Sequence, residues 1–285
     1  MMAVARPELP MKPALALLFP LFLTLAACGE RVGGSAPAAQ LPPVSTLGHP
    51  DLSGTWQLAH ALATFDLRRT VNGVATENLI DRTAQVPAAQ IVRGALPSTE
   101  EPSYQPQFRA RVKELFDTQT RSDAVFYCGR PGVPRIGPPR RIMQLPNEVL
   151  FFYEDISGDI YRVIPTDGRP HRADADPSYY GDSVAHWEND QLVIDVTNFV
   201  ADTWFGEGGY FHTDAMQVTE RLWRDGPNLV WQVTVADPGV LQEPWTMAPR
   251  VVPPSDQTLM ESPPCIERDA GRLINSDHHG QRLTR

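Results

Sequence analysis

The chain has 285 residues, of which 42% are apolar, 8% aromatic and 21% charged, a composition that excludes a disordered segment. Lys and Arg number 25 against 34 Asp and Glu, a formal net charge of −9. No run of five basic residues occurs, which excludes a nucleic-acid binder that tracks phosphates. The 28 prolines disfavour a protein of long helices and favour strands joined by rigid turns.

At the N-terminus, Lys12 precedes an apolar run from Pro13 to Leu25, interrupted by Pro20 and too short to span a bilayer comfortably. The run ends in Leu25-Ala26-Ala27-Cys28-Gly29, which resembles the lipobox of bacterial lipoproteins. That resemblance implies that residues 1–27 are a lipoprotein signal peptide. It also implies that Cys28 becomes the mature N-terminus, diacylated on its thiol and acylated again on its amine. Translation starts at Met1 or Met11, since the first ten residues add nothing to the signal. Several acyl chains, at about 0.8 kcal/mol per buried methylene, hold a protein on a membrane stably. The expected location is the cell envelope, periplasm-facing or extracellular. Gly29 offers no retention signal after the cysteine, which favours the outer over the inner membrane if the host has one. Residues 28–50, rich in small residues and proline, read as a tether, part flexible and part extended. Residues 51–285 read as one β-rich domain. Cys128 and Cys265 remain in an oxidising compartment, and an even count makes one disulfide the default. The alternative, a nucleophilic cysteine, has no supporting motif.

Within the domain, Gly54–Leu58 reads as a first strand and residues 61–105 carry little pattern. In Gln107–Thr120 the residues Phe108, Val112, Leu115 and Phe116 recur at helical spacing, which predicts one amphipathic helix. After Asp123, short segments rich in β-branched and aromatic residues follow one another. They are Val125–Cys128, Arg141–Leu145, Val149–Glu154, Ile160–Ile164, Ser183–Trp187, Leu192–Thr197, Met216–Trp223 and Leu229–Val235. Tight turns separate several of them, at Pro146-Asn147, Asp155–Asp159, Asn189-Asp190 and Asp225–Asn228. Such a chain predicts a mainly β fold, an antiparallel up-and-down meander that forms a barrel or a strongly curved sheet, with the helix against it. A β-sandwich is the alternative.

Pro50-Asp51-Leu52-Ser53-Gly54-Thr55-Trp56 resembles the Gly-x-Trp opening of lipocalin and wider calycin barrels. A broader resemblance rests on Asp167-Gly168-Arg169-Pro170-His171, on Trp187-Glu188-Asn189-Asp190-Gln191-Leu192-Val193, and on Cys128-Gly129-Arg130-Pro131-Gly132-Val133-Pro134-Arg135. These stretches look like those of a large group of uncharacterised secreted bacterial proteins. The likeness implies an exported β domain and carries over no catalytic residue.

No His-Glu-x-x-His, Cys-x-x-Cys or calcium-loop motif occurs, so no metal ligands and no cofactor are predicted. The segment 167–220 concentrates groups that could do chemistry. His212 and Asp214 share a face if the chain is extended there, and Met216, Val218 and Glu220 continue it. Glu220 on an apolar face is either a carboxyl raised toward general-acid range or half of a buried bridge to Arg141 or Arg162. The catalytic candidates are therefore His171 or His212 with Glu220 or Asp195. In the Asp167–His171 turn, Arg169 stands at a rim where it could hold a carboxylate. Tyr153, Tyr180, Trp204 and Trp231 offer ligand contact surface. The first functional reading is a lipid-anchored β-barrel that binds a small, largely apolar organic molecule. The alternatives are a cofactor-independent hydrolase, lyase or isomerase on the same scaffold, and a structural envelope lipoprotein. The expected partners are membrane lipid through Cys28 and the small molecule, not nucleic acid.

Overall fold

The computed structural model describes residues 48–57, 69–71, 74–76, 92–99, 101–155, 158, 160–261 and 265. The expected signal peptide, Cys28 and nearly all of the expected tether lie outside them, as does most of 58–91. Among the described residues no helix is long and apolar enough to cross a membrane.

The first elements are short: β1 (Gly54–Thr55), then the hairpin of β2 (Arg69–Val71) and β3 (Val74–Thr76). Pro106 opens a 3-10 turn (Pro106–Phe108) that runs directly into helix α1 (Arg109–Asp117). Proline suits a first turn because its missing N–H has no helical partner there. Leu115 is buried, and Phe108 and Val112 pack on the core, as their spacing requires. The predicted helix divides at Thr118, whose hydroxyl donates to the Glu114 carbonyl (2.7 Å), and α2 (Gln119–Ser122) follows. Val125–Cys128, expected as a strand, is instead a 3-10 turn over Ala124–Tyr127. The Asp123 side chain caps it by accepting from Val125 N (3.2 Å), and Cys128 leaves it with a left-handed φ of 63°. Local capping thus overrides the β propensity of Val-Phe-Tyr. Asp123 is itself held by the buried Arg135 guanidinium through bonds of 2.7 and 2.6 Å.

The rest is antiparallel β. The first sheet takes the order β1-β4-β5-β6, with β4 (Arg141–Gln144), β5 (Glu148–Tyr153) and β6 (Ile160–Pro165). The second contains β7 (Asp182–Glu188), β8 (Gln191–Thr197), β11 (Gln217–Asp225) and β12 (Asn228–Ala236). In chain order, the small separate hairpin of β9 (Trp204–Gly206) and β10 (Tyr210–Phe211) falls between β8 and β11, which pair directly. At the end of the second sheet, β13 (Trp245–Thr246) and β14 (Arg250–Val252) both pair with β12. The two-residue turn Asn189-Asp190 sets Glu188 against Gln191, His186 against Val193 and Val184 against Asp195, the register that the turn demands.

Alternation decides which face is core. Ala185, Leu192, Ile194, Val196, Val218 and Leu222 are buried on one side of the second sheet, and Ile142, Val149, Phe151, Ile160 and Ile164 on one side of the first. All join one hydrophobic cluster with Trp56 and Trp231. The opposite face at His186 and Glu188 is solvated, and Glu188 accepts from Arg221 (2.8 Å). Further along, that opposite face is covered: Val230 and Trp223 pack with Val92 in a second small cluster. Trp223 Nε1 donates to the Arg93 carbonyl (2.9 Å), and Gln232 bonds Leu96 through both its amide atoms.

Backbone bonds also link the two sheets on one side. Trp56 N donates to Arg140 O, while Gln57 N donates to Pro253 O and Ser255 N to Thr55 O, so β1 and the chain after β14 run side by side. On the other side β6 and β7 are neighbours, but no backbone ladder joins them among the described residues.

Cys128 and Cys265 form the disulfide, fastening the 3-10 turn rather than a strand. It closes a loop of 137 residues. Reduction is expected to remove on the order of 4–5 kcal/mol in the chain-entropy account. Guanidinium unfolding with and without reductant checks this, and coincident curves would refute it.

Candidate functional site

The seam between β6 and β7 gathers a connected set of polar side chains. Its centre is Arg162, which β6 points inward between Ile160 and Ile164. Arg162 is only 5% exposed, and its Nη1 lies 2.6 Å from Oε1 of Glu220, itself 1% exposed. The other Glu220 oxygen accepts from Trp231 Nε1 (2.9 Å). Arg162 also donates to Tyr153 Oη (3.2 Å) and, across the seam, to Ser183 Oγ (2.8 Å). Burial alone would lower the arginine pKa, but the Glu220 charge more than reverses it, so the guanidinium stays charged. Burial likewise keeps the Tyr153 phenol protonated. Of the two roles open to Glu220, this geometry is that of the buried bridge, with Arg162 and not the exposed Arg141 as partner.

The Asp167–His171 turn lies at the rim. Gly168 takes φ 79°, which glycine permits at no steric cost. Asp167 accepts from the Arg169 backbone and side chain, and the guanidinium draws its carboxyl pKa down to about 2. His171 Nδ1 lies 3.0 Å from Asp182, which also accepts from Arg172 N and Nε (3.0 and 2.7 Å). Burial pushes the Asp182 carboxyl up, but the bonds from Arg172 and His171 outweigh it and hold the group below the usual carboxylate range.

The remaining candidates are engaged elsewhere. His212 is buried, with Nδ1 2.8 Å from the Thr213 carbonyl, so that nitrogen carries the proton. Its Nε2 accepts from the Thr203 hydroxyl (3.0 Å). Asp214 is exposed, and Thr213 instead bonds Asp237. Asp195 accepts from Thr219 Oγ1 (3.2 Å). His171, His212, Asp195 and Glu220 thus share no hydrogen-bond partner among the described residues. Tyr153, Trp204 and Trp231 are core residues; Trp204 lies under the Arg135 guanidinium (5.8 Å) and Trp231 under Arg250 (5.6 Å).

Arg169 and Tyr180, by contrast, line one cavity of about 390 Å³ at the seam. Arg162, Arg172, Asp182 and Ser183 supply its other polar wall, and Tyr161, Val163, Pro165 and Val184 an apolar one. Tyr180 Oη and Arg162 Nε are buried and have no hydrogen-bond partner among the described residues. Burial raises the Tyr180 pKa, so its hydroxyl remains a donor. Among the described residues no group of three His, Cys, Asp or Glu is placed to hold a metal ion. Arg162 could be found in the sequence as the one charge at an inward position of its strand. Ser183 and Asp182 carry no such mark, because only the folded seam brings them to it. No protein-family model, curated protein or solved structure matches this chain.

Removing the Glu220 carboxylate strands a buried guanidinium. Glu220→Ala is expected to cost about 3–5 kcal/mol and Glu220→Gln less, because the amide still accepts from Trp231. Urea unfolding reads this, and a loss below about 1 kcal/mol for Glu220→Ala would contradict the buried-bridge role.

Burial holds His212 below its ordinary pKa of 6.5 in the folded protein. Between the folded and unfolded values the unfolded chain binds the proton and the folded one does not. The stability is therefore present above 6.5 and lost as pH falls toward the folded value. Urea midpoints from about pH 7.5 to about pH 5 should fall more steeply for the wild type than for His212→Gln.

Proposed function

We propose that the chain is a lipid-anchored cell-envelope protein whose β-rich domain binds a small, largely apolar organic molecule, with the ligand seated in the β6–β7 seam. The observation that carries this reading is the seam cavity. Its volume of about 390 Å³ lies within the usual range for small-molecule sites, and both apolar side chains and residues that carry hydrogen-bond donors line it. The anchor part of the reading rests on the lipobox-like run ending at Cys28.

We read the two sheets as one incompletely closed barrel. Hydrogen bonds run from β6 through β5, β4 and β1 to the chain after β14, and on through β12, β11 and β8 to β7. Among the described residues the circuit lacks a ladder between β6 and β7. Barrel mouths and interiors commonly hold ligands, but this interior is filled by Phe151, Trp56, Trp231 and their neighbours. The open seam is where room is left. Tyr180 Oη and Arg162 Nε belong to residues that line it, and an unpaired buried donor costs about 1–3 kcal/mol. A ligand carbonyl could accept from them once the seam parts, and across the seam Arg162 bonds Ser183 by a side-chain contact alone. The candidate acid and base groups do not meet, so no observation favours the enzyme reading over this one.

A thermal-shift screen of apolar metabolites against the purified full chain tests the proposal. A ligand at 100 times its Kd stabilises the folded state by about 2.7 kcal/mol. Val184→Trp, which fills the cavity from its wall, should abolish the shift without lowering the apo melting temperature. A flat screen, or a ligand shift that Val184→Trp leaves intact, would remove the seam as the binding site.

A further inference from the structure

The outer face of β4, β5 and β6 carries a continuous apolar strip. Inward alternation of these strands leaves Met143, Leu150 and Val163 in one cross-strand row, and Phe152 and Tyr161 in the next. Leu145 and Pro165 extend it. Tyr161 is 66% exposed, Val163 46%, Met143 41% and Leu145 38%, which makes this the densest group of exposed large apolar residues among those described. On these strands the outward charges are Arg141 opposite Phe152 and Glu148 opposite Pro165, and Arg169 and Arg172 border the strip where it lines the seam cavity. A contiguous patch of this kind marks an interaction surface, whereas scattered apolar residues do not.

We propose that this face docks on the phospholipid bilayer in which Cys28 is anchored; the proposal rests on the lipid-anchor reading given above. Only about 20 residues separate Cys28 from Gly48 in the sequence, and covalent geometry limits the reach of such a segment to at most about 70 Å. A covalent link no longer than that would raise the effective concentration of the domain at the membrane. A face too weak to bind lipid from free solution is then sufficient. The strip is nearly uncharged on a chain of net charge −9, so the contact is apolar and the body repels an anionic surface. A second copy is the poorer occupant, because a stable protein interface takes about 20–30 residues a side and this strip offers about seven. Tyr161, Val163 and Pro165 also line the seam cavity. With the face on the bilayer, an apolar ligand passes between lipid and cavity without crossing water.

The test uses the full, natively processed chain in phosphatidylcholine vesicles. An environment-sensitive fluorophore is placed on Val163→Cys, and in a separate sample on Gln217→Cys, which is exposed on the second sheet. Cys128 and Cys265 are bonded to each other and do not compete for the label. The expected result is a blue shift at position 163 and none at 217. The shift should survive high salt, weaken when anionic lipid replaces phosphatidylcholine, and vanish when Tyr161→Asp is added. Water-like emission at both positions, with Cys28 shown by mass spectrometry to be acylated, overturns docking while the anchor stands. An unacylated Cys28 removes the anchor and this proposal with it. A blue shift that needs no vesicles and grows with protein concentration assigns the face to a second copy and also overturns it.

Discussion

The Arg162–Glu220 pair joins the two sheets where the backbone does not. Neighbouring strands elsewhere are held by ladders, as between β11 and β12, which pair over nine positions. Between β6 and β7 the hydrogen bonding falls to side chains: Arg162 reaches Ser183 on β7, Glu220 on β11 and Tyr153 on β5. Taking two ions out of water costs several kcal/mol each, and their attraction repays this only with good geometry and further hydrogen bonds. Here Trp231, Tyr153 and Ser183 supply those bonds. An apolar pair of similar size could serve stability as well. What the ions add is direction. A slip of β6 by one residue would turn Arg162 to the outside and bring Tyr161 or Val163 inward, leaving Glu220 buried without its cation.

A seam closed by side chains has structural consequences on both of its surfaces. Among the described residues each bordering strand is laddered on one edge: β6 to β5 and β7 to β8. Open edges invite pairing with other chains, and proteins manage them with charge, turns or cover. The Asp167–His171 turn and its arginines stand over this one. The hollow beneath that cover is the cavity, and the outer residues of β6 form both its apolar wall and one border of the exposed strip. Cavity and apolar face therefore both border the open edge of β6.

Much of this arrangement could be read from the chain. Short-range rules fixed the β7–β8 hairpin, because a two-residue Asn-Asp turn leaves a single register and alternation then assigns the faces. The inward position of Glu220 followed from the parity of Met216 and Val218, and Arg162 had already been one of its two possible partners. What could not be read depended on contacts between distant residues. Val125-Phe126-Tyr127 has strand propensity, yet Asp123 caps it as a turn, and Asp123 is in turn fixed by Arg135. Val230 and Trp223 lie on the face of the second sheet turned away from the main core, and residues 92–96, far away in the chain, cover them. His171, His212, Asp195 and Glu220 are close in sequence, but strands that alternate and reverse send them to separate partners. Arg169 and Tyr180 meet at one cavity only because the turn after β6 folds back toward the start of β7.

Charge balance at the seam bears on what the cavity can hold. Its three arginines each have a carboxylate already: Arg162 with Glu220, Arg172 with Asp182, and Arg169 with Asp167. The formal sum over these six groups is zero. An anionic ligand would have to take an arginine from its partner and leave that carboxylate behind. At the rim this costs little, since the Arg169–Asp167 pair is exposed and screened by solvent. At the floor the same exchange would strand Glu220 inside the core, at a cost of several kcal/mol. An uncharged acceptor makes no such demand, because the unpartnered donors of Tyr180 and Arg162 need only a lone pair. The electrostatics therefore favour a ligand that carries an uncharged oxygen inward and keeps any charge at the Arg169 rim, which agrees with the apolar wall that Val163 and Pro165 provide.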